Sequence, residues 1–263
     1  MRLVPLLLLA LPAFAAEADP CILRPGDSAA VSAVAAIDGR LELALADGSA
    51  ALLAGIEVPP GIMPDARAWL AARLEGEGVV LRASGPAPDR WGRTPALAFV
   101  PGDAAADSVQ VELVEAGLAR VRAPTRTPCR AALLAAEAIA RAERAGLWGD
   151  PATGLLQAED TAAFAARDGQ NVVVEGQVAS VAQRGYRTYV NFGPLRFRDF
   201  SVAVLKPDAK IFDKNGLPLA ALAGHRVRVR GALDLRFGPQ VEIADPEAIE
   251  VIDIDGRWPQ GPP

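Results

Sequence analysis

The sequence predicts a mainly β chain with helices, an α+β fold built as two five-stranded barrels in tandem, the first carrying added helices. Three observations predict it. Short runs of alternating apolar residues recur, separated by Asp-Gly and Pro-Pro turns. In the first half the segments read strand, strand, strand, helix, strand, strand. The same order returns in the second half, although no sequence repeat relates the halves.

The first strand is Ala30 to Ile37, closed by Asp38-Gly39, and the second is Leu41 to Leu45, closed by Asp47-Gly48. The third runs from Ala51 to Val58 and stops at Pro59-Pro60. In MPDARAWLAARLEG, Pro64 and Asp65 suit the first turn of a helix whose inner face would be Ala68, Leu70, Ala71 and Leu74. Gly78 to Leu81 and Thr94 to Val100 complete five strands. Two helices follow, over Val109–Leu118 and Arg130–Leu147.

Pro151 to Arg167 reads as a connector with a short helix. Beyond it come strands at Val172–Val181, Tyr186–Phe192 and Phe200–Leu205. A helical segment at Leu217–Leu222 precedes the strand Arg226–Arg230. Either Val241–Ile243 or Ile249–Ile252 closes the set. Both halves thus follow the segment order of the oligonucleotide-binding type of barrel. The glycines of VEGQV and RVRVRGAL would let strands bend round a small barrel.

The opening MRLVPLLLLALPAFA has one Arg, a leucine-rich run and an A-x-A site, the pattern of a secretory signal. Its apolar run is too short for a membrane span, and no later segment is long and apolar enough for one. The expected divisions are 1–15 signal peptide, 16–150 first barrel with helices, 151–168 linker, 169–254 second barrel and 255–263 flexible tail. The expected location is periplasmic or secreted, with no membrane insertion after signal cleavage. Cys21 and Cys129, the only cysteines, would form a disulfide in that oxidising compartment.

The net charge of −5 argues against strong non-specific binding to nucleic acid, which depends on a positive field. The excess of arginine over lysine reflects composition and carries no phosphate-binding argument.

Five pieces in order give the first half a family resemblance. They are IDG at 37–39, LAGIEVPP at 53–60, DRWGRTPALAFV at 89–100, VELVEAGLARV at 111–121 and AAEAIARAERAGLWG at 135–149. From about Ala30 to Gly149 the chain resembles the thermonuclease family of staphylococcal-nuclease-like domains. That resemblance implies calcium-dependent phosphodiester cleavage. Such chemistry needs carboxylates for a hard cation, a carboxylate to act on water and fixed cations on the phosphoryl oxygens.

Carried over by position, the resemblance places metal ligands at Asp38 and Glu57, the latter standing for an Asp. Other family positions depart from the pattern. A metal-binding Asp is replaced by Arg40, a phosphate-binding arginine by Leu52 and the carboxylate that acts on water by Pro60. The terminal phosphate contacts fall near Arg122 and Pro124. Arg93 is the only retained catalytic candidate, with Trp91 as the aromatic before it. Arg93 is either a retained phosphate contact or an ion-pair partner, for example of Glu57. Arg40 is expected to pair with Glu57 and fill the metal site, so no cofactor is expected; calcium is the cofactor if the site is active.

In the second barrel, aromatic and basic residues suited to single strands are Arg184, Arg187, Tyr189 and Arg228, with Tyr186, Arg196, Arg198 and Arg230 beside them. Tyr186 and Tyr189 have opposite strand parity. Alternatively, Arg226, Arg228 and Arg230 form the solvated face of an amphipathic strand, paired with acids. His225 has no partner at metal-ligand spacing and reads as solvated, and Trp148 reads as a core plug. The expected function is a catalytically inactive, thermonuclease-like binding module. Its partner would be single-stranded nucleic acid or an envelope protein. The alternative is an active calcium-dependent nuclease.

Overall fold

A computed structural model describes residues 20–253, apart from 28–29, 39, 86–87, 103 and 125–127. The expected signal peptide and flexible tail lie outside the described residues. Among the described residues the fold is mainly β with four α-helices: α1 (Met63–Leu74), α2 (Val109–Glu115), α3 (Arg130–Glu143) and α4 (Lys206–Lys214).

The strands Val31–Ile37, Glu42–Leu45, Ala50–Leu53, Gly78–Ala83 and Arg93–Phe99 close into a barrel. The third and fifth pair in parallel, from Ala50 opposite Arg93 to Leu53 opposite Ala96. The fourth returns antiparallel to the first, with Val31 opposite Val80. This is the ring that the segment order predicts. Alternation sends Leu43, Leu45, Ala51 and Val79 inward, where α1 covers them. The buried stripe of α1 is Ala66, Leu70 and Leu74. Leu70 and Leu74 belong to the predicted inner face, whereas Ala68 is exposed and Ala66 is buried instead.

α2 and α3 dock beside the barrel through two glycines. Gly117 follows α2 at φ 69° and Gly146 follows α3 at φ 48°. A Cβ on Gly117 would sit 2.2 Å from the Ala145 carbonyl oxygen, and one on Gly146 would sit 2.3 Å from that of Gly117. Any side chain there would force the helix ends apart. The approach lets the Leu147 amide donate to Gly117 O at 2.9 Å and buries Leu147 and Trp148.

Cys21 and Cys129 form a disulfide with Cα atoms 5.3 Å apart. It joins the start of α3 to the two-residue strand Ile22–Leu23, which pairs with Ala106–Asp107. Both cysteines are buried with Leu23, Val80, Leu97 and Phe99.

The second half forms an equivalent ring. Its first strand is broken at Val178-Ala179 into Asn171–Gln177 and Ser180–Arg184. The first part pairs with Arg226–Asp234 and the second with Arg187–Asn191. Ser201–Leu205 then joins Arg187–Asn191 on one side and, in parallel, Gln240–Glu242 on the other. Gln240–Glu242 pairs with Arg226–Asp234, which completes the circuit.

Two details, the barrel helix and the connector, differ from the sequence reading, and the closing strand is the first of its two alternatives. The barrel helix is α4, a polar segment with only Phe212 buried, while Leu219–Leu222 is a 3-10 turn. Gln240–Glu242 closes the barrel, and Ile249–Val251 is an extra strand on Arg226–Asp234. The connector is packed: Leu156–Gln157 pairs in parallel with Val174–Glu175, and Phe164 stacks on Phe200 at 5.2 Å.

Candidate functional site

The third strand ends in the stretch LLAGIEVPP, whose residues Ile56–Glu57 pair with Arg120–Val121. That pairing shapes a groove of about 510 Å³ at the mouth of the first barrel. Arg40, Leu52, Glu57, Arg122 and Pro124 all line it. Five positions aligned by family resemblance therefore come together in one place.

Their chemistry differs from that of a metal site. Glu57 is engaged at both oxygens, by Arg120 Nε donating to Oε1 at 2.6 Å and Asn171 Nδ2 donating to Oε2 at 2.8 Å. Its cation is thus Arg120 and not Arg40, which corrects the expected Arg40–Glu57 pair. The physical reason is the strand pairing, which sets Glu57 directly opposite Arg120. Arg40 lines the groove and makes no ion pair among the described residues.

Asp38 caps its own turn. One carboxylate oxygen accepts from the amides of Arg40 at 2.7 Å and Glu42 at 2.8 Å, where Leu41 adopts φ 62°. Such a local bond is the ordinary use of Asp in a turn. Leu52 and Pro60 offer no charged group to phosphate or water. A calcium ion takes roughly six to eight oxygen ligands, mainly carboxylates and carbonyls. The groove offers one doubly hydrogen-bonded acid beside an arginine, and these residues do not fit the ion. Among the described residues no group of three or more His, Cys, Asp or Glu side chains could hold a metal.

Arg93 does not line the groove. Its Nε and Nη2 donate to Asp89 Oδ2 at 2.9 and 2.6 Å, and Nη1 reaches Glu42 at 3.4 Å. Asp89 also accepts from the amides of Trp91 and Arg93, and Gly92 completes the turn at φ 80°. The Arg93 hydrogen bonds hold the Asp89 carboxyl below its ordinary pKa, and Asp89 in turn raises that of Arg93. The D-R-W-G-R stretch is a self-stapled turn, and Glu57 is not the partner of Arg93. Trp91 projects outward, 63% exposed, with Arg90 stacked on its ring at 3.9 Å.

The second barrel carries a separate cleft of about 380 Å³, and Arg184, Arg187 and Tyr189 line it. Arg228 does not. It pairs with Glu175 at 3.0 Å and Glu250 at 3.6 Å, which corrects its assignment as a ligand contact. Neighbouring strands supply these acids, since Arg228 sits opposite Glu175 on one side and Glu250 on the other. Arg226 likewise pairs with Glu175. His225 contacts Asp253 at 3.2 Å, so it is not merely solvated.

Arg230 departs furthest from a solvated face. It is 4% exposed and donates from Nη1 and Nη2 to the two oxygens of Glu137 on α3, both at 3.0 Å. It also contacts Glu250 and the Val121 carbonyl. Glu137 and Arg141 belong to the A-E-x-x-A-R pattern of α3 and pair at 2.8 Å. The sequence reading assigned no role to Arg120, Glu137, Arg141 or Asn171. Strand pairing could have flagged Arg120 opposite Glu57; no local signal points to Asn171 or Arg230.

The ring order of the first barrel defines its class, an oligonucleotide-binding-type barrel with docked helices. Sequence comparison adds a likeness over part of the chain: residues 63–150 match the family model described as Staphylococcal nuclease homologue. That segment is similar to staphylococcal nuclease homologues, a likeness that suggests nuclease-like or nucleic-acid-binding function. It spans α1, the Asp89–Arg93 turn, α2 and α3. Positions 38, 40, 52, 57 and 60 precede the matched residues: Leu52 lies on the third barrel strand, Asp38 and Arg40 in the turn between the first two, and Glu57 and Pro60 just beyond the third. A search of curated proteins found no match.

Proposed function

We propose that this protein is a non-hydrolysing module that binds nucleic acid outside the cytoplasm. One observation carries the reading: Glu57, the one acid of the groove, accepts from Asn171 at one oxygen and is ion-paired with Arg120 at the other, so a metal ion would have to compete with a guanidinium for a single carboxylate. Hydrolysis also needs an acid at the water and a cation on the phosphoryl group. Pro60 and Leu52 stand where the resemblance puts these, and Arg93 is bound to Asp89.

The location rests on the leader-like first fifteen residues and on the Cys21–Cys129 disulfide, which suits an oxidising compartment.

The test is incubation of the purified protein with DNA and with RNA, with and without calcium, beside the Arg93→Ala variant as a contamination control. No cleavage above the level of the variant is expected. Calcium-dependent cleavage that disappears in Arg93→Ala would overturn the reading.

A further inference from the structure

From the cleft of the second barrel we infer that this barrel, and not the nuclease-like groove, is the ligand-binding surface, and that it takes single-stranded nucleic acid. The inference rests on the nucleic-acid-binding reading above and adds to it a site and a strand form. Register builds the floor. Arg184 lies opposite Arg187, Ala182 opposite Tyr189 and Ser180 opposite Asn191. On the other side Tyr189 faces Ala203 and Asn191 faces Ser201. Tyr189 is therefore flanked by two alanines, too short to cover its ring, while Val190, Val202 and Val204 point into the core.

The wall is apolar and exposed. Of the eight large hydrophobic side chains exposed among the described residues, Leu195, Phe197 and Phe237 line this one cleft. Phe197 is 57% exposed and Phe237 71% exposed. Solvation alone does not account for Phe197, whose φ of 67° is a conformation that bulky side chains rarely adopt. The fold enforces it. Gly238, at φ 89°, packs so closely that a Cβ there would lie 2.3 Å from the Phe197 carbonyl oxygen. An exposed aromatic held in a strained backbone is a signature of a working surface.

The charges match a phosphate chain. Arg184 is exposed and makes no ion pair among the described residues. Arg187 and Glu242 form a pair in which both side chains are about half exposed, 47% and 48%. The Arg196 guanidinium stacks on Phe197 at 4.3 Å. Asp199, the acid that lines the cleft, is turned into its own loop and accepts from the Leu195 amide at 2.6 Å. Separate ring faces ringed by arginines suit unpaired bases, whose faces are open, and not a duplex, whose base faces are stacked away. A local positive cleft also reconciles nucleic-acid binding with a net charge of −5.

The test is fluorescence anisotropy of the full chain with a labelled single-stranded DNA of about twelve nucleotides and with the corresponding duplex, over a range of salt. The single strand is expected to bind roughly tenfold tighter or better. Tyr189→Ala and Phe197→Ala should each weaken it by about tenfold. Arg184→Glu, at a side chain without ion pairs, should weaken binding without loss of fold, and Arg184→Ala should lower the salt slope by about 0.7. Arg40→Ala with Arg122→Ala should leave binding unchanged. Equal affinity for the duplex, or wild-type affinity in the cleft variants, would overturn the inference. If affinity instead falls in the Arg40/Arg122 variant, the inference fails while the non-hydrolysing reading stands. If neither form binds the wild type, the nucleic-acid reading itself fails.

Discussion

Arg120 Nε lies 2.6 Å from Glu57 Oε1, and the same guanidinium donates to the backbone carbonyl of Asn171 in the second barrel. The Asn171 side chain then returns to the other oxygen of Glu57 at 2.8 Å. The acid at the groove is thus an anchor between barrels. Loss of Arg120 would leave a partly buried carboxylate and a carbonyl without their donor. Arg120→Met is expected to cost about 1–3 kcal/mol in chemical denaturation, the usual penalty for an orphaned polar group. In calorimetric titration, calcium should produce no binding heat with the wild type, and Asn171→Ala should not create any. A calcium isotherm in either protein would show that Glu57 remains available as a ligand.

Arg93 is predicted to act on stability and not on chemistry. Its hydrogen bonds to Asp89 and Glu42 close the turn that leads into the fifth strand. Arg93→Ala should lower the melting temperature and leave single-strand affinity unchanged. A loss of affinity without a loss of stability would return Arg93 to the role of phosphate contact.

Both barrels were legible in the sequence because their signals are local. Alternation and the Asp-Gly and Pro-Pro turns act within a few residues, and the ring order follows from segment order. α4 was missed because its nine residues are mostly polar and only Phe212, with Ala209 packed beside it, marks the inner face. Of the positions singled out at 38, 40, 52, 57 and 60, Arg40, Leu52 and Glu57 line one groove, while Asp38 and Pro60 do not. The partner of Glu57 was not legible. Arg120 and Asn171 lie 63 and 114 residues away, and such pairs depend on how strands and barrels meet. Parity alone gave Arg226, Arg228 and Arg230 a shared face; α3 packed over that face encloses Arg230.

Stability should fall in acid through two glutamates on the strands beside this arginine row. Burial alone would push Glu175 up, but hydrogen bonds from Arg226 and Arg228 more than reverse that and hold it below 4.5. Burial likewise opposes ionisation of Glu250, and the charge of Arg230 outweighs it, again giving a value below 4.5. A carboxyl whose folded pKa is depressed stabilises the fold fully above its unfolded value and loses that contribution as pH falls through the folded value. Unfolding free energy should therefore be nearly level from about pH 7 to about pH 5.5 and decline below ~4.5. Glu250→Gln should flatten that decline. An unchanged acid slope in the variant would show that other carboxylates dominate it.

The disulfide closes 108 residues of sequence and fixes the start of α3. Constraint of so long a loop in the unfolded chain is worth about 4–5 kcal/mol in the chain-entropy account. The double variant Cys21→Ser/Cys129→Ser should lose stability on that scale in urea. Both cysteines are buried, so a mild reductant should leave the native protein intact and act only once urea opens the core. Rapid reduction without denaturant would show that the region around Ile22–Leu23 opens independently.

The strongest test of how the barrels are joined is Arg230. Its side chain is 4% exposed, and Glu137 opposite it is fully buried. Arg230→Ala would leave Glu137 with Arg141 and the Val121 amide, but without the partner that engages both its oxygens. Removal of one member of a buried pair typically costs about 3–5 kcal/mol. Replacement of both by apolar residues of similar size can be nearly neutral, because two desolvated charges disappear together. Arg230→Met/Glu137→Leu should therefore recover much of the stability lost in Arg230→Met. Full recovery is not expected, since Glu137 also holds Val121 and Arg141. A double variant no better than the single would mean that Glu137 acts mainly within the first barrel, through the strand that faces Glu57.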